Sequence, residues 1–423
     1  MIHKENIPTF SGNKIIDCFP RLGENVLHLP RYPKYEDGFH RIGDFNYYFQ
    51  RSQQYLTCQT ARFTLLGAGL HTLVEDTVVD LSRDLPDYWT GFFRSNFGNQ
   101  IGELIKYSGH YGFIDIVAAR PDFTVISPHP YDSAFVPAKQ YYLDDPTAVV
   151  DVNCKGKISK ISSHALLYET FSPEDFASDE WKGRWDLPFV IKITQPSGGG
   201  DGVQICKNRD DILSAKKKFD GLEIKIEPFV GDSGNNYNVQ VHVSPDGTIS
   251  FIGGSVQKVS PEGKYGGNYF DFGWLPDENL WEISKEIGEN CHNRGYYGVC
   301  GPDIMETPSG KRVFVDPNMR LNGSTPFFLM QDYFKSHFNR PCMESGYFAH
   351  PTFTPAELLE AFKSELESGE LTLTGIYYGP QNEDDKKKVT RIYAAIASEG
   401  DPEKHGFIKE NLAKKGLLSG IHL

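Results

Sequence analysis

A lysine lies inside a short apolar run, and a glycine-rich turn follows it: Phe189-Val190-Ile191-Lys192-Ile193, then Ser197-Gly198-Gly199-Gly200-Asp201-Gly202. The run has the composition of a strand, and Val203-Gln204-Ile205-Cys206 predicts its return. An ammonium inside such a strand is costly unless something pairs with it. A phosphate would serve, and so would a carboxylate. Glycines let backbone N–H groups approach phosphate oxygens closely. Taken alone the glycines read as a plain hairpin turn. Together with Lys192 they predict a nucleotide site.

A second constraint is Asp316-Pro317-Asn318. Residues two apart on a strand share a face, so Asp316 and Asn318 present two oxygens side by side, and Arg320 can follow them. Val299 to Glu306 and Lys311 to Asn318 flank Pro308-Ser309-Gly310, which predicts a hairpin with Asp303 on the partner strand. Hard oxygen ligands of this kind suit Mg²⁺, which takes one or two carboxylates plus phosphate oxygens. A solvated strand end is the plainer alternative. The apolar run before it and the Arg320-Leu321-Asn322-Gly323-Ser324 loop after it favour a site.

The rest of the chain predicts an α/β protein. Before residue 150 the sequence is aromatic and carries no motif. Strands are expected at Phe63 to Leu66, Thr77 to Leu81, Gly112 to Val117 and Phe123 to Ile126. The aromatic segment Phe45 to Phe49 is expected in the core. Ser159 to Glu169 reads as a helix, as do Asp210 to Phe219 and Asn279 to Arg294. Leu222 to Val230 reads as a strand, with Pro228 interrupting its pairing. Pro245-Asp246-Gly247 predicts another hairpin. After about residue 346 a helix, a strand and a further helix suggest a small closing subdomain. The expected divisions are 1–150, 151–235, 236–345 and 346–423.

Composition removes several classes of function. A chain of 423 residues with 39% hydrophobic content supports more than one domain. A net charge of −13 argues against nucleic acid as a partner. The seven cysteines form no Cys-x-x-Cys pair, so neither a zinc ribbon nor a disulfide framework is indicated. No stretch reaches the roughly 18 apolar residues of a membrane span. A cytoplasmic location without membrane contact is expected, and the Asn322-Gly323-Ser324 sequon is then incidental.

With these parts in order, residues 155 to 330 resemble the ATP-grasp superfamily. The resemblance implies an α/β (α+β) fold with an N-terminal pre-ATP-grasp domain, a central lid subdomain and a C-terminal subdomain. It makes Lys160 and Lys192 the two ATP lysines and Ser197, Gly199 and Gly200 the phosphate loop. Glu227, Phe229 and Val230 fall on the adenine hinge, and Asn236 on the ribose position. Asp303, Asp316 and Asn318 fall on the metal positions, for one or two Mg²⁺ with Mn²⁺ as an alternative. Arg320 would act with Lys192 on the transferred phosphate. Gly267, Asn268, Arg320, Asn322, Gly323 and Ser324 would meet substrate. The implied reaction joins a small carboxylic acid, an amino acid or short peptide, to an amine through an acyl phosphate. A homodimer is an admitted assembly.

Two departures stand out. Asp316 replaces the usual Glu, and Gly301 stands where D-alanine ligases carry Arg. A protein kinase fits poorly, because Lys192 precedes the glycines and no His-Arg-Asp loop precedes Asp271-Phe272-Gly273. No Walker motif or dinucleotide fingerprint occurs. A nucleotide-binding protein without activity, or a ligase with a non-amine acceptor, remain the alternatives.

Overall fold

In the computed structural model three sheets account for most of the strands. It describes residues 7–20, 22, 25–30, 39–42, 45–48, 60–109, 111–179, 181–197, 202–231, 234–260, 263, 265–380, 387–398 and 402–419. The first sheet is parallel, in the order β5-β4-β1-β6: β1 Val26–His28, β4 His71–Glu75, β5 Glu103–Tyr107 and β6 Thr124–Ile126. A separate hairpin joins β2 Phe39–Ile42 to β3 Phe45–Tyr48. The expectation for the Phe45 to Phe49 side chains lies outside the described residues.

The second sheet is antiparallel, β7-β10-β8-β9: β7 Glu169–Phe171, β8 Phe189–Ile193, β9 Val203–Cys206 and β10 Ile224–Pro228. Its two faces follow the period of two. Ile191, Ile193, Ile224 and Ile226 pack with Trp181, Phe189 and Phe219 into a small core of their own. Val190, Lys192 and Glu227 line a cavity on the opposite face. Arg209–Lys218 forms the covering helix, and the Asn208 side chain caps it by accepting from Asp210 N and Asp211 N.

The third sheet has ten strands and is antiparallel. Its main path is β16-β15-β11-β12-β13-β17-β19-β18, with β14 on β11 and β20 on β17. The strands are β11 Asn236–Val243, β12 Ile249–Val259, β13 Tyr265–Asp271, β14 Gly298–Cys300, β15 Asp303–Glu306, β16 Arg312–Asp316, β17 Cys342–His350, β18 Leu371–Pro380, β19 Lys388–Ala397 and β20 Leu418–Ser419. The amphipathic helix Glu278–His292 buries Leu280, Ile283, Ile287 and Cys291 against one face.

Several expectations need correction. Gly112–Ala118 is a helix, not a strand, and its Phe113 and Val117 are buried four residues apart. Thr64–Leu66 is a 3₁₀ turn, and Thr77 to Leu81 is loop apart from an isolated bridge from Val78 to Tyr377. Ser159 to Glu169 is not helical. A 3₁₀ turn at Lys155–Lys160 gives way to extended chain, and Phe314 N binds His164 O. That bond ties the segment alongside β16, which overrides the local helical pattern. The region after residue 346 is not a separate layer, because β17 runs through that boundary and β17, β18 and β19 continue the large sheet. The first helix expected after residue 346 is two short ones, Pro355–Ala361 and Lys363–Glu367.

Candidate active site

A cavity of about 510 Å³ opens between the small and the large antiparallel sheets. Strands of both sheets supply charged side chains to its wall: Lys192 on β8, Glu227 on β10, Asp303 on β15 and Asp316 on β16. Asp303 on β15 pairs directly with Asp316 on β16. Register brings the two carboxylates opposite each other.

Asp303 is held by three carboxamides. Oδ1 accepts from Asn238 Nδ2 (3.0 Å) and Gln257 Nε2 (2.7 Å), and Oδ2 accepts from Asn318 Nδ2 (3.0 Å). Burial pushes the Asp303 carboxyl well above the ordinary carboxylate range, and the neighbouring charge of Asp316 adds to this. Such a pair calls for a cation. Arg320 Nη2 donates to Asn318 Oδ1 (2.6 Å) and its Nη1 to Asn153 Oδ1 (3.2 Å). The donor set is all oxygen: two carboxylates in register and one carboxamide. That chemistry fits Mg²⁺. Among the described residues no group of three His, Cys, Asp or Glu side chains converges.

Lysines neutralise the remaining charge. Lys192 meets Glu227 at 2.5 Å and donates to Val315 O at 2.9 Å. Of the two partners expected for Lys192, the structure supplies the carboxylate. Lys225 lies 2.7 Å from the other Glu227 oxygen and 4.8 Å from the Tyr168 ring centroid. Burial opposes the charge on Lys192, but Glu227 and Asp316 outweigh it and hold the ammonium above its ordinary value. Burial likewise opposes the Glu227 charge, and Lys192 and Lys225 outweigh it downward. Lys225 is pushed down to about 8 by burial, with Glu227 resisting.

The first expected lysine is not on the cavity wall. Lys160 is exposed and lies outside the cavity wall; its backbone carbonyl accepts from Arg294 Nη2. Lys155, 2% exposed, pairs with Asp316 instead. Burial lowers the Lys155 ammonium, and Asp316 offsets part of that.

The other expected residues divide into two groups. Phe229, Val230 and Asn236 line the cavity beside Glu227, and Asn236 Nδ2 donates to Gln257 Oε1 (2.9 Å). Asn268, Asn322, Gly323 and Ser324 line it further along. Asn322 Oδ1 accepts from Gln240 Nε2 (2.6 Å) and Ser324 Oγ (2.8 Å), a buried network that fixes the loop. A Cβ at Gly301 would lie 2.4 Å from Asn322 Nδ2, so Asn322 fills the space that a side chain at Gly301 would need. Ser197 is half-buried and off the cavity wall, while Gly199 and Gly200 lie outside the described residues. Gly267 does not line the cavity either. Its φ is +125°, and a Cβ would stand 1.9 Å from Ser345 O, so it serves the close approach of β13 to β17.

Sequence reasoning missed Lys155, Asn238 and Arg62, while Gln257 and Tyr265 fall in the segment from Gln257 to Asn268 that resembles a substrate-side loop. Asn238 shares the alternating face of Asn236 and Gln240 on β11, a pattern visible in the sequence.

Residues 168–318 match the family described as L-aspartate–L-methionine ligase, ATP grasp. Solved structures align over 81% to 94% of the chain. A carboxyaminoimidazole ribonucleotide synthase from Aspergillus clavatus, complexed with ATP, is 10% identical, with 93% of this chain and 99% of that one covered at a TM-score of 0.56. This chain has the ATP-grasp fold. An L-amino acid ligase from Bacillus licheniformis, 13% identical, covers 94% of this ATP-grasp chain and 98% of its own at a TM-score of 0.53. The biotin carboxylase domain of a Hydrogenobacter thermophilus 2-oxoglutarate carboxylase, solved with MgADP and bicarbonate, is 10% identical over 81% of this chain and 84% of its own, at 0.50. Among the described residues no helix of the ATP-grasp chain is long and apolar enough to cross a membrane.

Proposed function

We propose that this chain is an ATP-dependent ligase that joins a carboxylic acid to an amine through an acyl phosphate. The observation that carries the reading is the pairing of Asp303 with Asp316 in one cavity with Lys192, Glu227 and Arg320. The family matched at 168–318 supports an amino acid as the acid, with L-aspartate and L-methionine as the first pair to try.

The hinge strand β10 ends at Pro228, leaving the backbone of Phe229 and Val230 along the cavity for an adenine edge. Lys192 is the ammonium group on the cavity wall that would face the phosphates, and Lys155 reaches that wall only through Asp316; each is balanced by a carboxylate until nucleotide arrives. Asp303, Asp316 and Asn318 would hold Mg²⁺, which neutralises charge on the phosphate oxygens during transfer. Arg320, 8% exposed and anchored by Asn153, is placed to steady the phosphoryl group. A substrate carboxylate oxygen takes the γ-phosphoryl and ADP leaves. The amine then attacks the acyl carbon, the C–O bond to phosphate breaks, and the amine proton is lost. No nucleophilic side chain is required.

The test is phosphate release from MgATP with paired amino acids, run beside hydroxylamine trapping of the acid alone. Release that needs both partners, with a hydroxamate from one of them, is the expected result. ATP hydrolysis that ignores the acid, or ATP binding without turnover for every pair, would reject the reading.

A further inference from the structure

We propose that Arg62 anchors a carboxylate of the substrate that does not itself react. This rests on the acyl phosphate reading above. Arg62 lies far outside the matched segment 168–318, yet it lines the same cavity at 5% exposure. Its guanidinium carbon sits 5.3 Å from the Phe63 ring centroid and 5.6 Å from that of Tyr393. A methyl group built on Gly323 would stand 3.1 Å from Arg62 Nη1, 2.9 Å from Tyr393 Oη and 3.3 Å from Tyr265 Oη. A guanidinium and two phenol hydroxyls therefore converge at bare backbone. Tyr393 Oη donates to Gly323 O at 2.5 Å and fixes that backbone.

The carboxylates of the cavity wall are already partnered. Its lining carboxylates are Glu227, Asp303 and Asp316, all engaged with lysines or carboxamides at the nucleotide end. Arg62 and Tyr265 line the cavity beside Gly323, with the buried Tyr393 bonded to the Gly323 carbonyl. The reacting carboxylate would meet the γ-phosphate beside Asp316 and Arg320, and neither is among the three atoms nearest a Cβ built on Gly323, so an anion held at Arg62 is assigned to another part of a substrate. A guanidinium carries five N–H donors in one plane and can serve a carboxylate as well as its structural neighbours. The substrate class is an acid with a second carboxylate, or an amine that is itself an amino acid.

Steady-state kinetics with MgATP decide the point, using L-aspartate against L-asparagine and L-isoasparagine as donors, and L-methionine against L-methionine amide as acceptors. In Arg62→Gln the KM of the partner that owns the carboxylate should rise about 10- to 100-fold, the range of a lost charge-assisted hydrogen bond, with kcat little changed. Its amide analogue should be unaffected, and Arg62→Lys should recover part of the loss. Hydroxylamine trapping with the donor alone shows whether the donor is that partner. Gly323→Ala, which crowds the same point, should raise the same KM and decides the matter if Arg62→Gln fails to fold. Equal losses for acid and amide, or no change in either KM, would overturn the anchor. If no pair turns over in the wild type, the acyl phosphate reading fails separately. Calorimetric titration with L-aspartate and L-methionine then decides: binding lost in Arg62→Gln supports the anchor, and the same result in both proteins overturns it.

Discussion

Lys155 is ion-paired with Asp316, the aspartate that faces Asp303 across the hairpin. One candidate metal ligand is thus also the counter-ion of a lysine whose side chain is 3% exposed. Asp316→Ala is expected to lower Mg²⁺-dependent turnover on the order of 100-fold or more. It should also lower the melting temperature, because Lys155 loses its partner. Asp316→Asn should keep the fold closer to wild type and still lose turnover. Normal turnover in either variant would remove Asp316 from the metal site.

Replacing Lys155 and Lys160 separately distinguishes the two lysines. Lys155→Met should raise the KM for ATP about tenfold, the scale of one charge-assisted hydrogen bond. Lys160→Ala, at an exposed position, should leave it within about twofold. The reverse pattern would restore Lys160 to the nucleotide.

Glu227 balances two buried lysines, so its loss should show first in stability. Glu227→Ala is expected to cost roughly 3–5 kcal/mol, read by denaturant unfolding, because Lys192 and Lys225 then share no carboxylate. An unchanged midpoint would mean that the two ammonium groups find another partner.

Acid stability should depend on Glu344. His405, Lys258 and Lys409 all contact its carboxylate, joining the helix Pro402–Lys414 to the large sheet. Burial opposes its charge, but these partners outweigh that and hold it far below the ordinary glutamate value of 4.5. The native state therefore binds fewer protons than the unfolded chain at pH values below about 4.5, and stability falls as pH drops through that window. Glu344→Gln should flatten the acid limb of a melting-temperature profile between pH 3 and 6. A limb of unchanged slope would place the acid sensitivity elsewhere.

Gly267→Ala separates structure from binding. Positive φ and the collision with Ser345 O should together cost roughly 3 kcal/mol. The KM values of the folded fraction should stay the same. A changed substrate KM without a stability loss would return Gly267 to the substrate site.

The sequence carried the parts that obey a period. Lys192 and Glu227 lie on strands whose alternate residues are apolar, and Asp303 and Asp316 flank a readable turn, so their convergence was legible. Lys155 was not. It stands with Lys157 and Lys160 in one short stretch, and only the 3₁₀ turn and the edge of β16 decide which ammonium faces inward. Gly112–Ala118 was misread because its β-branched residues suit a strand, whereas the buried pair Phe113 and Val117 already had helical spacing. Arg62 carried no signal, since its relation to Gly323 exists only after regions more than two hundred residues apart have packed together.

The two faces of the small sheet have a consequence for movement. Its apolar side closes on its own core, separate from the cores of the large sheet. Glu227 belongs to that sheet and Val315 does not. If the sheet swings away from the cavity, Lys192 parts from a carbonyl on the large sheet but keeps its carboxylate. The charge needed to meet a triphosphate would therefore stay balanced with the door ajar, and no ammonium would be stranded while the nucleotide is away.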